Sequence, residues 1–300
     1  MRSFDPQAIS WDDLQATTDP LLAEGLCRLL RAPIQRFDRV LDNFPCNYLI
    51  CVDEIPVYVG EGINAANRIR VQFDERRSTF YKTFMKFEPD SRFSISSFKL
   101  RVMETRFGRK EIEDFGIVNL ATKLNKFQLG KRQLCRAAES HGEWDEVQSR
   151  HCEIIDSGAR RCLESEFADW PLAAHESVAG IYLIKARSGD IIYVGESSDI
   201  SSRYQTHASH TYFSAVRRNL GTDILEFKLQ TINGRKRYFE PNEDREVSEF
   251  LSKCSIAFIP VNLGRLEIEE KLISELQPVL NRKSKKKISA LTINAPPEPD

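Results

Sequence analysis

Along this chain, short runs that alternate apolar and polar positions with a period of two give way to helical spacing, and the change happens twice in the same order. Residues 48–52 and 56–59 are rich in apolar, β-branched and aromatic side chains and flank Asp53-Glu54, which predicts a β-hairpin. Residues 181–186 and 191–194, parted by a turn that holds Ser188-Gly189, predict a second one. Pro56 suits a strand start or a sheet edge. A helix follows each hairpin and opens on a capping residue, Asn64 in one case and Asp199 in the other. A third strand is predicted at 98–103, where Phe98, Leu100 and Val102 alternate with Lys99 and Arg101, and its counterpart at 255–261. Each series closes on an amphipathic helix.

The repetition extends to individual residues. Tyr-Leu-Ile, a turn, Tyr-Val-Gly-Glu and an Arg eight residues after the Gly occur from Tyr48 to Arg68 and again from Tyr182 to Arg203; Gly195 follows Gly60 by 135 residues. Residues 112–125 then align without a gap on 268–281, where Asn281 follows Asn125 by 156 residues. The second series therefore holds 21 additional residues between its blocks, which places an insertion within 208–255. Such internal similarity sets the domain count. It predicts an α+β chain with a partly helical extension (1–39), a first domain (40–130), a helical connector (131–175), a second domain (176–285) and a disordered tail (286–300). In the extension, the apolar pattern of 20–30 suits either packing on the first domain or a protein partner.

Composition narrows the class without naming a function. With 300 residues, 41% hydrophobic and 29% charged, the chain has the make-up of a soluble globular protein with room for two cores. No apolar run is long enough to span a bilayer and the first residues carry acids, so no membrane role is expected and the cytoplasm is the default compartment. Seven scattered cysteines without a CxxC pair indicate neither a disulfide framework nor a zinc finger; the spacing of His141, His151, Cys152 and Cys162 fits no common zinc pattern. A net charge of −1 restricts any contact with phosphates to local basic patches.

Two acids carry the candidate chemistry. Glu269 lies one turn before Leu272 and Ile273 on the apolar stripe of the last helix, and Glu113 stands likewise before Ile117. A carboxylate at a helix start is ordinarily a macrodipole partner or half of a salt bridge, but its recurrence on two apolar stripes points to a bound cation. Each acid belongs to a set with two tyrosines and an arginine: Tyr182, Tyr193 and Arg203 with Glu269, Tyr48, Tyr58 and Arg68 with Glu113. A cation and a guanidinium can neutralise a phosphate in its transition state, and a tyrosine beside positive charge can take a proton from water, which suits phosphodiester hydrolysis. His207, four residues after Arg203, is a candidate phosphate or proton-transfer group; Gln72 stands in its place in the first series.

The residues Gly-Ile-Tyr-Leu-Ile (180–184), Tyr-Val-Gly (193–195), Arg203, His207, Glu269, Pro278 and Asn281 resemble, in order and spacing, the GIY-YIG nuclease domain. The resemblance implies two tandem GIY-YIG domains, each a small three-stranded antiparallel sheet flanked by helices, and hydrolysis with Mg2+ or Mn2+, one ion per active site. Tyr182 would activate water alone or with Tyr193, Arg203 would stabilise the phosphate, Glu269 would hold the metal and Asn281 would fix the local backbone. The first copy resembles a diverged member. It keeps Tyr48, Tyr58, Arg68, Glu113, as a second metal acid, and Asn125, but has Cys46-Asn47 for Gly-Ile, Gln72 for the His and Thr122 for the Pro.

Basic residues then point to the partner. Arg70, Arg76, Arg77 and Lys82 interleave with aromatics, Arg217 and Arg218 fall in the inserted segment, and Arg282, Lys283, Lys285, Lys286 and Lys287 follow the last helix. These would hold a nucleic-acid backbone in a salt-sensitive way. Double-stranded DNA, cut on both strands by the two domains, is the first expectation, with restriction or phage defence as its setting by family analogy. The alternatives are a chain in which only the second copy cuts while the first binds DNA or a partner, a non-catalytic nucleic-acid-binding protein, and an RNA endonuclease.

Overall fold

The computed structural model describes residues 10–40, 42–87, 95–125, 143–172, 176–232 and 234–281. Two helices, α1 (Trp11–Ala16) and α2 (Thr18–Arg31), precede a first sheet. Ser10 caps α1 through its side chain, which accepts from the Asp13 N–H. In α2, Leu21, Leu22, Leu26 and Leu29 form a buried stripe that shares a core with Phe107, Ile112, Phe115 and Trp144. The apolar face of the extension is thus used inside the chain, which is the packing alternative of the two that its sequence left open.

The first sheet is formed by β1 (Cys46–Val52), β2 (Ile55–Gly62) and β3 (Lys99–Glu104), all antiparallel, in the order β2-β1-β3. Asp53 and Glu54 both adopt positive φ, the conformation of a tight hairpin turn. Between β2 and β3 lie α3 (Ala65–Gln72) and α4 (Thr79–Phe87), and α5 (Arg109–Asn119) follows β3. On one face of the sheet Phe73, Phe80 and Phe98 pack with Tyr48 and Tyr58; on the other, Leu49 and Val59 meet the core of α2 and α5. The connector begins, among the described residues, with α6 (Glu143–Ser149) and α7 (His151–Leu163).

The second sheet repeats the first around β5 (Gly180–Lys185), β6 (Ile191–Ser197) and β9 (Ser255–Pro260). Tyr182 pairs with Gly195 as Tyr48 pairs with Gly60, and both hairpins shift register at the equivalent point, after Ile184 and after Ile50. The three-stranded expectation needs one correction here. A two-residue strand, β4 (Ala168–Asp169), adds to β9 and makes the order β4-β9-β5-β6. Asp199 caps α8 (Ile200–Ser209) as Asn64 caps α3. Helix α9 (Ala215–Asp223) follows α8 as α4 follows α3, and the additional residues come after it, where the two-stranded ribbon β7 (Gln230–Ile232) and β8 (Arg235–Tyr238) and helix α10 (Pro241–Ser252) lie. The last helix, α11 (Arg265–Leu276), corresponds to α5. No helix among the described residues is long and apolar enough to cross a membrane.

Helices α5 and α11 meet at their N-termini, and each is capped by the other. Gly108 and Gly264, both at positive φ, are the N-cap residues. The Glu267 carboxylate accepts from the N–H groups of Gly108 and Arg109 and, at 2.8 Å, from Arg109 Nε. Reciprocally, Glu111 accepts from the N–H groups of Gly264 and Arg265 and, at 2.7 Å, from Arg265 Nε. Arg109 also reaches Glu270 and Arg265 reaches Asp114. All four principal partners are buried. Burial, and then the Glu111 charge, push the Glu267 carboxyl up to about 7.

Candidate active site and its N-terminal counterpart

Tyr182 projects from the central strand β5 across Gly195 of β6, and the glycine is what allows this. A Cβ at Gly195 would stand 2.3 Å from the Tyr182 ring; one at Gly60 would stand 2.4 Å from Tyr48. Both phenols are buried between strands and helix, so neither ring has room to withdraw. Gly195→Ala is therefore expected to destabilise the chain by about 1–3 kcal/mol and to displace Tyr182. Urea unfolding and the Tyr182-dependent activity should fall together, and an unchanged midpoint would refute this account of the glycine.

The buried Tyr182 hydroxyl lies 2.8 Å from His207 Nε2, and His207 Nδ1 lies 2.8 Å from Ser214 Oγ. Burial, and then the charge of Arg203, lower His207 from 6.5 to about 3, so its imidazole is neutral. The Tyr193 ring stacks at 5.9 Å from Tyr182. Burial, and after it the Tyr193 phenol, raise Tyr182 well above an ordinary phenol; burial and then Glu269 raise Tyr193. Arg203 acts in the opposite direction on both phenols, and Glu269 acts upward on both, so the two phenols lie within the electrostatic reach of a cation and a carboxylate. Arg203 and Glu269 are half-buried and reach solvent. Asn281 holds β6 in place: its amide accepts from Val194 N–H at 2.9 Å and donates to Val194 C=O at 2.7 Å.

The N-terminal set has the same layout with two changes of chemistry. Asn125 clasps Val59 through the same two bonds, and Tyr48 and Tyr58 stack at 6.2 Å. In the place of His207, however, Gln72 Nε2 donates to Tyr48 Oη at 2.9 Å and to Tyr58 Oη at 3.4 Å. Lys110 Nζ lies 2.6 Å from Glu113 Oε2, and Glu113 is buried. Burial opposes the charge on Lys110, but Glu113 and then Asp114 outweigh it and hold the ammonium protonated; burial also raises Glu113. Glu113, expected as a metal acid, thus already faces a cation of the chain itself.

Of the basic residues, Arg70, Arg76, Arg77 and Lys82 are exposed. Arg217 is not a surface cation as expected. It is 1% exposed, pairs with Asp244 at 3.0 Å and donates to Thr211 Oγ1, Ser248 Oγ and three carbonyls, so it braces the loop that carries Ser214. Arg218 donates to the carbonyls of Thr211 and Tyr212 in the same loop. Arg282, Lys283, Lys285, Lys286 and Lys287 lie outside the described residues. Sequence reasoning missed Ser214 and Lys110. Ser214 has a structural counterpart in Ser78, whose Oγ accepts from the Tyr81 N–H as Ser214 Oγ accepts from the Arg217 N–H, and Lys110 was visible in the alignment of 109–114 (RKEIED) on 265–270 (RLEIEE).

Glu269 fits a hard divalent cation. Among the described residues no group of three or more His, Cys, Asp or Glu side chains could cage a metal, but magnesium ordinarily keeps several waters and takes one or two carboxylates plus substrate oxygens. A solvent-reaching Glu269 beside an arginine and two phenols offers that kind of donor set. Residues 173–295 match the family model of the GIY-YIG catalytic domain, a nuclease domain whose members generally depend on divalent metal. No curated protein matches the chain.

Proposed function

We propose that the C-terminal unit hydrolyses phosphodiester bonds of DNA with Mg2+, one strand at a time, and that the N-terminal unit is a diverged copy of the same domain without turnover. The observation that carries this reading is the contrast between His207 and Gln72 against an otherwise equivalent tyrosine pair. A neutral imidazole with its proton on Nδ1, donating to Ser214, leaves Nε2 free to accept the Tyr182 O–H proton. Tyr182 can then take a proton from the attacking water while passing its own to His207, an acceptor that burial and Arg203 weaken and that the negative charge of a bound phosphodiester strengthens. Gln72 donates to Tyr48 and has no basic nitrogen, so it supports no such transfer.

Glu269 would hold the cation, which supplies positive charge to the phosphate oxygens and the leaving group. That charge also answers an electrostatic need, because a buried phenol raised well above its ordinary value does not give up its proton without nearby cations. Arg203 stabilises the charge that develops on the phosphoryl oxygens. Exposed Arg70, Arg76, Arg77 and Lys82 give the N-terminal unit the cations to hold the DNA backbone. Restriction of incoming DNA is the setting that the family resemblance suggests.

Cleavage of supercoiled plasmid tests the proposal. Wild-type protein with Mg2+ should convert supercoiled DNA to open circles, EDTA should stop it, and Glu269→Gln or Arg203→Ala should slow it by roughly 10²-fold or more. Glu113→Gln should leave the nicking rate within a few-fold. Equal losses from Glu113→Gln and Glu269→Gln would instead establish two working sites.

A further inference from the structure

The six residues that open α5 and α11 differ in one chemical respect. Arg109, Glu111, Ile112, Glu113 and Asp114 correspond to Arg265, Glu267, Ile268, Glu269 and Glu270, but Lys110 corresponds to Leu266. Three residues before the candidate metal acid, one copy has a cation and the other an apolar side chain. At i,i+3 the two positions share a helix face, so the change bears directly on the carboxylate. Lys110 Nζ stands 2.6 Å from Glu113 and 3.5 Å from Asp114.

We infer that Lys110 occupies, with its ammonium, the place of the divalent cation in the N-terminal pocket, so that the chain binds one catalytic metal ion and not two. The inference rests on the reading of Glu269 as the metal holder and goes beyond it by assigning a different occupant to Glu113.

The Glu113 carboxyl is 3% exposed, and a magnesium ion that bound there would have to bring waters into a closed pocket. It would also have to expel the ammonium from its two carboxylates, which leaves a protonated lysine without a partner in a mostly buried position. Gln72 fits the same picture from the other side of the pocket. Its amide donates to both phenols, so the group that stands where His207 does offers them no basic nitrogen. Metal and base are thus replaced by groups that keep the pocket's charge and hydrogen bonds balanced. One chain then has one cutting site, and breaking both strands takes two binding events or two chains.

Calorimetric titration of the full chain with Mn2+, checked by the electron paramagnetic resonance signal of the bound ion, separates the alternatives without an activity readout. One ion is expected for the wild type and for Glu113→Gln, none for Glu269→Gln, and two for Lys110→Leu, which copies position 266. Two ions on the wild type, one of them lost in Glu113→Gln, would overturn the inference, as would a folded Lys110→Leu protein that gains none. Because Lys110→Leu strands a buried carboxylate, the comparison of wild type with Glu113→Gln decides the matter by itself if that variant does not fold. Full binding by Glu269→Gln refutes instead the role given to Glu269, and it does so whatever Glu113 binds.

Discussion

A His207→Gln protein is expected to fold, to lose 10²-fold or more of its nicking activity, and to lose part of the acid sensitivity of the wild type. Folding is expected because the N-terminal pocket already holds a glutamine against the equivalent tyrosine. Activity falls because Tyr182 no longer has a base for its proton. The pH effect follows from the neutral state of the imidazole. Above pH 6.5 the ring is neutral in both the folded and the unfolded chain and adds no pH dependence. Between 6.5 and about 3 the unfolded chain takes up a proton that the folded chain refuses, so stability drops as the pH falls, by at most about 1.4 kcal/mol per unit. Urea unfolding of both proteins at pH 7.5, 6 and 5 measures the difference. Wild type should lose more stability than the variant over that range, and parallel curves would mean that His207 is not held neutral.

Arg265→Met is expected to destabilise the chain by about 3–5 kcal/mol, the cost of leaving a buried carboxylate without its partner. Arg265 and Glu111 are 1% and 0% exposed and 2.7 Å apart, so water cannot replace the guanidinium. Changing Glu111 alone to Gln should also be costly, while the Arg265→Met/Glu111→Gln pair should cost less than the sum. Denaturant unfolding of the three proteins gives the coupling directly. Strict additivity would show that the two residues are stabilised by other neighbours and not by each other. Arg265 Nη1, with no hydrogen bond, also lies 3.7 Å from Glu196, and Arg109 Nη1 likewise lies 3.8 Å from Glu61. Loss of either arginine is therefore felt at the glutamate that follows each Tyr-Val-Gly.

Much of the architecture was legible because its physics is local. Hairpins were marked by alternation and turn residues, helix starts by Asn64 and Asp199, and the glycine beneath each tyrosine by its repetition at fixed spacing. What escaped depends on contacts between distant segments. Arg265 and Glu111 are 154 residues apart, and in sequence each is one charge among several at a polar helix start. Arg217 read as a surface cation because a run of Arg-Arg usually is one; only the fold brings Asp244 and Ser248 to it. Strand β4 is too short to have a period. Ser214, like Ser78, reads in sequence as an ordinary helix cap, and only the fold brings His207 to it; the single Lys110 for Leu266 exchange likewise gains meaning only once the distance to Glu113 is known.

The reciprocal capping of α5 and α11 also has a kinetic side. Were the two units separate molecules, this junction would form by encounter, and its occupancy would follow protein concentration. Joined by the connector, the partners meet at an effective concentration fixed by the chain itself. Glu269 sits on the second turn of a helix whose first N–H groups are satisfied from the other unit, so the support of the candidate metal site is unaffected by dilution. A protein that must act when only a few copies are present gains from carrying its own second half.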